Sequence, residues 1–438
     1  MYPDNAGAPR KPRFFYGWLV VLVGFLGDFM MAGISTHSFS FFIKPMTQEL
    51  GWTRTMITGA ATLRTLTGAI TGPIIGPLID RYGGRVVMIG GALLAGAGIM
   101  LLSQVSKLWQ FYLVYGVMGA EGLTAMGGLV VTSVVAKWFI RKRGRAMAFV
   151  AAGLPLGGVV LGPISQFMIQ HFSWREAWMV LGGLVWIIII PAAWLFMRRT
   201  PEDMGLLPDG DEGSPVPRQR ASDVVRPAEV RSAPQVETIW TLKAALRTPA
   251  LWVVLLSFIL SGMGLSGTML HQTAYISDKG LPTAVMTTNM VIWGLSATLG
   301  TLFWGFLAER FPARYIVSAA FFLGAVGLSL LVNAQSLSSV LLYAVTFGFA
   351  AGASAPMNAL ILANYYGRTF VGAIQGATMP FRLISTAGGP LFAGYIYDVT
   401  GSYNIAFSLF AGTYLLGALM ILTAKPPIFK EKAAVSHA

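Results

Sequence analysis

Residues 370–398 form an apolar stretch with a single arginine, Arg382, near its centre. The stretch is long enough for a membrane-spanning helix, which needs about 20 residues. The polar and small residues that share one helical face, at steps of four and three, are Gln375, Met379, Arg382, Thr386 and Gly389. A guanidinium stays charged and is costly in the membrane unless it meets water or an anion. The pattern predicts either an arginine that binds an anionic substrate in a central cavity, or an arginine paired with an acid on another helix.

Three further ionisable residues, Asp28, Arg64 and Glu121, fall near the middle of apolar stretches. A carboxyl group in a dry helical bundle favours its protonated form, which a proton carrier requires. Asp28 and Glu121 are therefore both candidates for proton coupling. The alternative is a static ion pair with Arg64 or Arg382.

Other polar residues are candidates for substrate contact. Arg64 could embrace one anion together with Arg382, and Gln375 lies on the Arg382 face. Asn358 could donate to a substrate oxygen or join two helices. His271 ends a polar stripe that is expected to face the cavity; it could bind a carboxylate, but a hydrogen bond across the bundle is favoured.

The composition excludes several classes of protein. The chain has 438 residues, of which 55% are hydrophobic and 11% charged, whereas soluble domains average about 25% charged residues. It contains no cysteine, so disulfides, thiol catalysis and cysteine-ligated metals are excluded. We find neither a metal-binding constellation nor a phosphate-binding loop, and we predict no enzymatic activity and no cofactor.

Hydropathy predicts an all-α membrane protein with twelve spans. The predicted spans are 16–42, 55–79, 85–104, 109–135, 145–170, 175–196, 250–276, 284–308, 314–334, 337–363, 370–396 and 402–424. Lysine and arginine concentrate in the loops on one side, which predicts two cytoplasmic termini by the positive-inside rule. The net charge of +13 is then a topology signal and not a nucleic-acid-binding surface.

These spans define five regions. Cytoplasmic tails are expected at 1–15 and 425–438, and six-helix bundles at 16–196 and 249–424. Residues 197–248 are polar and proline-rich, which predicts a mostly disordered cytoplasmic linker with a surface helix near 239–246.

The two halves contain the same loop motif. GPLIDRYGGR at 76–85 and GFLAERFPAR at 305–314 share glycine, leucine, an acid and two arginines at the same positions. Gly162-Pro163 and Gly389-Pro390 also occupy matching spans. Repeated halves predict a pseudo-two-fold axis along the membrane normal, with a site between the halves near the midplane.

This loop resembles the signature loop of the major facilitator superfamily. Within that superfamily, YGW at 16–18, ELGWTR at 49–54, WFIRKRG at 138–144 and GGPLFAG at 388–394 with Asp398 resemble the monocarboxylate transporters and the oxalate:formate antiporters. One departure is that the eighth span lacks the arginine of that group, although Arg382 matches a basic residue used by the oxalate:formate relatives. The resemblance implies a cavity lined by spans one, four, seven and ten.

The resemblance also implies a cytoplasmic gate that latches the outward-open state. Its members would be Asp80, Arg81, Arg85, Glu309, Arg310 and Arg314. Asp80 is expected to accept from the N-terminal amides of a neighbouring helix, and the arginines to bridge to carboxylates or carbonyls. The alternative is that these charges only set the topology.

The predicted function is secondary active transport of a small organic anion, a mono- or dicarboxylate, by alternating access. Transport would be coupled to protons or to exchange for a counter-anion. The alternative is proton-driven efflux of a drug-like or cationic metabolite, with the acids binding the cation. A receptor is disfavoured because no sizeable soluble output domain is present. The resemblance implies a monomer in a bacterial inner membrane.

Overall fold

The computed structural model describes residues 14–210 and 240–427, and these residues are almost entirely helical. Labelled in chain order, the main helical segments are α1 (Gly17–Ala32, Gly33–Ser38 and Phe39–Leu50), α2 (Arg54–Tyr82), α3 (Gly84–Leu101), α4 (Leu108–Phe111, Tyr112–Gly119, Ala120–Met126 and Gly128–Trp138), α5 (Arg143–Ala151 and Gly153–His171), α6 (Trp174–Phe196), α7 (Pro249–Asp278), α8 (Thr283–Leu307), α9 (Ala313–Val332), α10 (Leu337–Ala351 and Ser354–Tyr366), α11 (Val371–Thr400) and α12 (Asn404–Thr423).

Ten helices in the described ranges are long and apolar enough to cross a membrane. Two further helices, α2 and α11, are 29 and 30 residues long but fall outside this group. These are the helices that carry Arg64 and Arg382, together with several threonines and glycines. Residues of both helices line the same cavity between the two halves.

Helix packing reproduces the repeat seen in the sequence. In the N-terminal half α1 packs on α5 and α3 on α6; in the C-terminal half α7 packs on α11 and α9 on α12. The contacts between the halves are also equivalent, since α2 packs on α11 and α5 packs on α8. This pairing is what two repeats related by a pseudo-two-fold axis produce.

Glycines allow both interfaces between the halves to pack closely. A Cβ atom on Gly76 would lie 2.2 Å from the carbonyl oxygen of Gly372, and one on Gly376 would lie 2.3 Å from that of Gly72. Gly144 of α5 stands in the same relation to Gly305 of α8, at 2.4 Å. Small residues of this kind let helix backbones approach each other in membrane proteins.

Helix α4 is interrupted near its middle. A π-helical segment spans Tyr112–Gly119, and the helix breaks at Gly127, whose φ and ψ are −119° and −157°. The helix restarts at Gly128 with a φ of +20°, a conformation that glycine adopts without steric cost. The break resets the helical register between Glu121 and the residues after Gly128.

The linker differs in part from the disordered segment predicted for 197–248. Residues 201–204 and 208–210 form short 3₁₀ turns, and Leu242–Leu246 forms the predicted surface helix. Residues 211–239, together with 1–13 and 428–438 of the predicted tails, lie outside the described residues.

The end of the bundle where the linker lies is called here the linker end. Helices α2, α4, α6, α8, α10 and α12 finish there, and α3, α5, α7, α9 and α11 begin there.

Candidate functional site

A cavity of about 500 Å³ lies between the two halves. Its wall comes from α1, α2, α4 and α5 on one side and from α10 and α11 on the other. Four members of the predicted Arg382 face, Gln375, Met379, Arg382 and Thr386, line this cavity and therefore share one side of α11.

Two guanidinium groups enter the same cavity. Arg382 is exposed, and its side chain forms no ion pair among the described residues. Arg64 lies with its guanidinium carbon 6.0 Å from the centre of the Tyr115 ring, and its buried Nε has no hydrogen-bond partner. In this conformation the described residues therefore do not show the predicted pairing of Arg382 with an acid.

Asp28 lies in the same cavity and is 3% exposed. Its Oδ1 accepts a hydrogen bond of 2.7 Å from the backbone N–H of Gly128, where α4 restarts after its break. A carboxylate at a helix N-terminus is favoured by the helix dipole. The partner of Asp28 is thus a backbone amide, and the ion pair with Arg64 or Arg382 considered from the sequence is not formed here.

A hydrogen bond joins the two halves at the side of the cavity that lies toward the linker end. The Thr132 hydroxyl of α4 donates to Oε1 of Gln375 on α11 over 2.8 Å. The Nε2 of Gln375 is buried and has no hydrogen-bond partner, so it is available as a donor. Asn358 of α10 lines the same cavity and is 9% exposed.

Closer to the linker end than the Thr132–Gln375 bond, Asp80 joins the two halves. Its Oδ2 accepts a 2.8 Å hydrogen bond from the backbone N–H of Ala373, at the start of α11. Its Oδ1 forms a 2.9 Å ion pair with Lys137 at the end of α4, and both side chains are buried. The expected contact between Asp80 and the N-terminal amides of a neighbouring helix is confirmed.

Glu309 makes the equivalent contact in the other half. Its Oε1 accepts from the backbone N–H of Arg145, at the start of α5, over 3.2 Å and from the Arg145 side chain over 2.8 Å. Arg143 adds a bond of 2.9 Å to Asn364 of α10. Contacts that join the halves therefore gather at the linker end.

The four arginines of the two loop motifs have different surroundings from those expected. Arg81 and Arg85 lie over the rings of Tyr82 and Trp194, at 5.2 Å and 5.6 Å. Arg310 is exposed, and Arg314 lies over the Tyr315 ring at 4.8 Å. Three of the four thus pack on aromatic rings, while Lys137 and Arg145 lie beside the two acids.

Glu121 and His271 lie outside the lining of this cavity. Glu121 faces a separate groove with residues of α2 and α3, while Thr124 on the same helical segment lines the cavity. His271 hydrogen-bonds to the Tyr403 hydroxyl at 3.2 Å and to the Pro390 carbonyl at 3.1 Å. These bonds are of the kind favoured for His271 from the sequence.

The polar stripe of α7 faces the interior of the C-terminal half. Ser257 and Ser261 are buried, and Gly264 packs against Tyr414 of α12. The described lining of the cavity includes no α7 residue, so the expectation that span seven lines it is wrong for this conformation. Its place is taken by α2, α5 and α11, which meet where the two halves touch.

Several residues of the contacts at the linker end escaped prediction from the sequence. Lys137 pairs with Asp80, Thr132 bonds to Gln375, and Asn364 accepts from Arg143. The one local signal was a lysine within the apolar run that ends α4, since a buried lysine needs a partner. Its partner could not be named, because the two residues come from separate helices.

Comparison with known proteins agrees with this architecture. The model of the Major Facilitator Superfamily matches residues 18–379 and 284–437. Monocarboxylate transporter 3 of Rattus norvegicus is 27% identical, over 96% of this chain and 83% of the relative. Monocarboxylate transporter 13 of the same species is 24% identical, over 94% of this chain and 90% of the relative.

Two solved structures share the fold. A Major Facilitator Superfamily transporter, FucP, in the outward conformation superposes with a TM-score of 0.70 at 11% identity, covering 93% of this chain and 98% of that one. The human organic anion transporter MFSD10 superposes with a TM-score of 0.67 at 16% identity, covering 92% and 99%. With the family model matched across nearly the whole chain, the protein belongs to the Major Facilitator Superfamily and is a multi-pass membrane transporter.

Proposed function

We propose that this transporter moves a small organic anion, a mono- or dicarboxylate, and that Arg382 binds its carboxylate. The observation that carries the proposal is the pair of guanidinium groups, Arg64 and Arg382, that line one cavity and form no ion pair among the described residues. Asp28 is the one acid in the described lining of this cavity, so it balances at most one of the two cations, and an unbalanced charge in a low-dielectric interior is costly. An anionic substrate would supply the missing negative charge.

In this proposal the two arginines supply positive charge to the bound anion, and two side-chain amides supply neutral hydrogen-bond donors. A guanidinium holds a carboxylate through two parallel N–H···O bonds, which Arg382 provides from its exposed position. Arg64 approaches from the opposite half and adds charge. Gln375 offers its free Nε2 and Asn358 its amide as neutral donors at the cavity wall.

Asp28 is the proposed proton carrier. Protonation would remove its charge-assisted bond to the Gly128 amide and thereby loosen the contact between α1 and the restart of α4. Proton binding at Asp28 would thereby change the position of the part of α4 after Gly128, which carries Thr132 and its bond to Gln375. This arrangement is compatible with proton-coupled transport and with anion exchange. Uptake measured with and without a proton gradient distinguishes the two.

Alternating access is the proposed mechanism, with twelve spans, both termini in the cytoplasm of a bacterial cell and the linker end as the inner side. The Asp80, Glu309 and Arg143 contacts hold the halves together at that end and form the proposed inner gate. Opening the cavity inward requires these contacts and the Thr132–Gln375 bond to break. The structure would then represent a state closed toward the cytoplasm.

The alternative of cation efflux has less support from the cavity. Glu121 is one of the two acids proposed to bind the cation, and it faces the separate groove with α2 and α3. The remaining acid, Asp28, shares its cavity with two guanidinium groups, which repel a cationic substrate.

Uptake into proteoliposomes tests the proposal, using a panel of labelled small carboxylates with and without an inward proton gradient. We expect one acid to be taken up, and Arg382→Gln to lower its kcat/KM by about 30-fold or more, because a charge-assisted pair is lost. Lys44→Gln, which removes an exposed cation from α1, is the control. Unchanged uptake in Arg382→Gln would refute the site.

A further inference from the structure

The chain does not leave the membrane domain directly after α6. Residues 198–210, called here the strap, run across the linker end and are held by both helices and loops. The Trp138 indole donates to the Arg198 carbonyl over 3.2 Å. The Arg199 guanidinium donates to the backbone carbonyl of Asp80 over 2.7 Å. The strap therefore begins in contact with the residues that flank the Asp80–Lys137 pair.

At its far end the strap inserts Asp209 into the loop that precedes α5. The carboxylate accepts three backbone N–H bonds, from Ile140 at 2.9 Å, Arg141 at 2.7 Å and Lys142 at 3.0 Å. Asp209 is 4% exposed and has a φ of +62°, a left-handed conformation that is costly for most residues. A strained, buried acid that satisfies three amides holds this loop in one shape.

The same strap reaches the other half of the molecule. Glu202 forms a 2.7 Å ion pair with Arg368, in the loop between α10 and α11. Arg368 also donates to the backbone carbonyl of Lys137 over 3.1 Å. The strap thus holds the loop before α5 with Asp209 and the loop before α11 with Glu202, and these loops lead into the two helix starts that Glu309 and Asp80 cap.

We propose that the strap is part of the inner gate, with Asp209 and Glu202 as positioning residues that hold the two gate helices in the closed arrangement. The proposal rests on the alternating access proposed above. When the halves separate at the linker end, the Glu202–Arg368 pair breaks while Asp209 stays with its own half. The strap then stabilises the state closed at the linker end without touching the substrate.

Because the chain contains no cysteine, one introduced thiol reports access to the cavity. Ala355 lines the cavity and is exposed there, so Ala355→Cys is the parent. A membrane-impermeant maleimide is applied to right-side-out and inside-out membrane vesicles, and the two labelling rates are compared. This ratio measures how often the cavity opens at each end, which a loss of folded protein alone does not change.

Asp209→Gly keeps the left-handed backbone, which glycine adopts freely, but removes all three carboxylate bonds. Because the released strap no longer holds Glu202 against Arg368, we expect its labelling rate from the linker side to rise about two- to fivefold relative to the far side. Asp209→Asn, which retains one carbonyl oxygen and tolerates this backbone, is expected to show a smaller rise. Glu202→Gln breaks a partly exposed pair and is expected to raise the ratio about two- to fivefold.

Asp203→Asn is the matched control, since Asp203 lies in the same strap and its carboxylate caps only the nearby Thr200 amide. A ratio in Asp209→Gly and Glu202→Gln equal to that of Asp203→Asn overturns the role of the strap. A parent ratio that does not respond to saturating carboxylate substrate instead overturns alternating access through this cavity. The two failures are therefore distinguishable.

Discussion

Replacing Asp80 by asparagine tests the charge of the proposed inner gate while nearly keeping the shape of the side chain. The side chain keeps nearly the same volume and can still accept a hydrogen bond from the Ala373 amide. It loses its negative charge, so Lys137 is left buried without an ionic partner. In the structure this pair is 2.9 Å long, with side chains that are 5% exposed for Lys137 and 8% for Asp80.

The burial of the pair sets the size of the effect. Removing one member of a buried ion pair costs about 3–5 kcal/mol, because the other charge remains desolvated. If Lys137 reaches water when the linker end opens, this cost falls on the closed state alone. At about 1.4 kcal/mol for each factor of ten, the equilibrium shifts toward the open state by about 100- to 4,000-fold.

The Ala355→Cys labelling assay measures that shift as the ratio of rates from the two sides of the membrane. Glu309→Gln is the graded comparison, since the side chains of Glu309 and Arg145 are 14% and 35% exposed. Because water compensates the partly exposed pair, we expect Glu309→Gln to shift the ratio by about fivefold or less. Equal shifts in the two variants, or none in Asp80→Asn, would refute the reasoning.

Two further predictions concern helix contact and coupling. Gly76→Ala is expected to lower the melting temperature of the purified transporter by several degrees, since its Cβ would lie 2.2 Å from the Gly372 oxygen. Gly90→Ala, where a Cβ would meet no atom within 4 Å, should leave it unchanged, and equal melting temperatures would contradict the close packing of α2 on α11. Asp28→Asn should abolish the proton dependence of uptake while Glu121→Gln retains it, measured as uptake with and without a proton gradient. The opposite result would move the coupling site to Glu121.

Local sequence determined the helices and the repeat. Apolar runs of membrane-spanning length predicted helical segments whose observed bounds differ from the expected ones by a few residues over most of the chain. The duplicated loop predicted two equivalent halves, and the observed helix pairing agrees with it. These features depend on hydropathy and on matching positions within one chain, so no knowledge of packing was needed.

The Arg382 face was also predictable from local sequence. Steps of three and four along an unbroken helix place residues on one side whatever surrounds the helix. Four residues of that face line the cavity as expected. Glu121 lies outside the described lining of this cavity, in the groove with α2 and α3.

Tertiary structure alone decided which residues meet. Lys137 pairs with Asp80 across 57 positions of sequence, Thr132 bonds to Gln375 across 243, and Asp209 reaches back to the loop before α5. The identity of such partners depends on how helices cross and on which face each turns inward. The physical reason is that side-chain period is a local property of the chain, whereas pairing is set by the packing of helices from both halves.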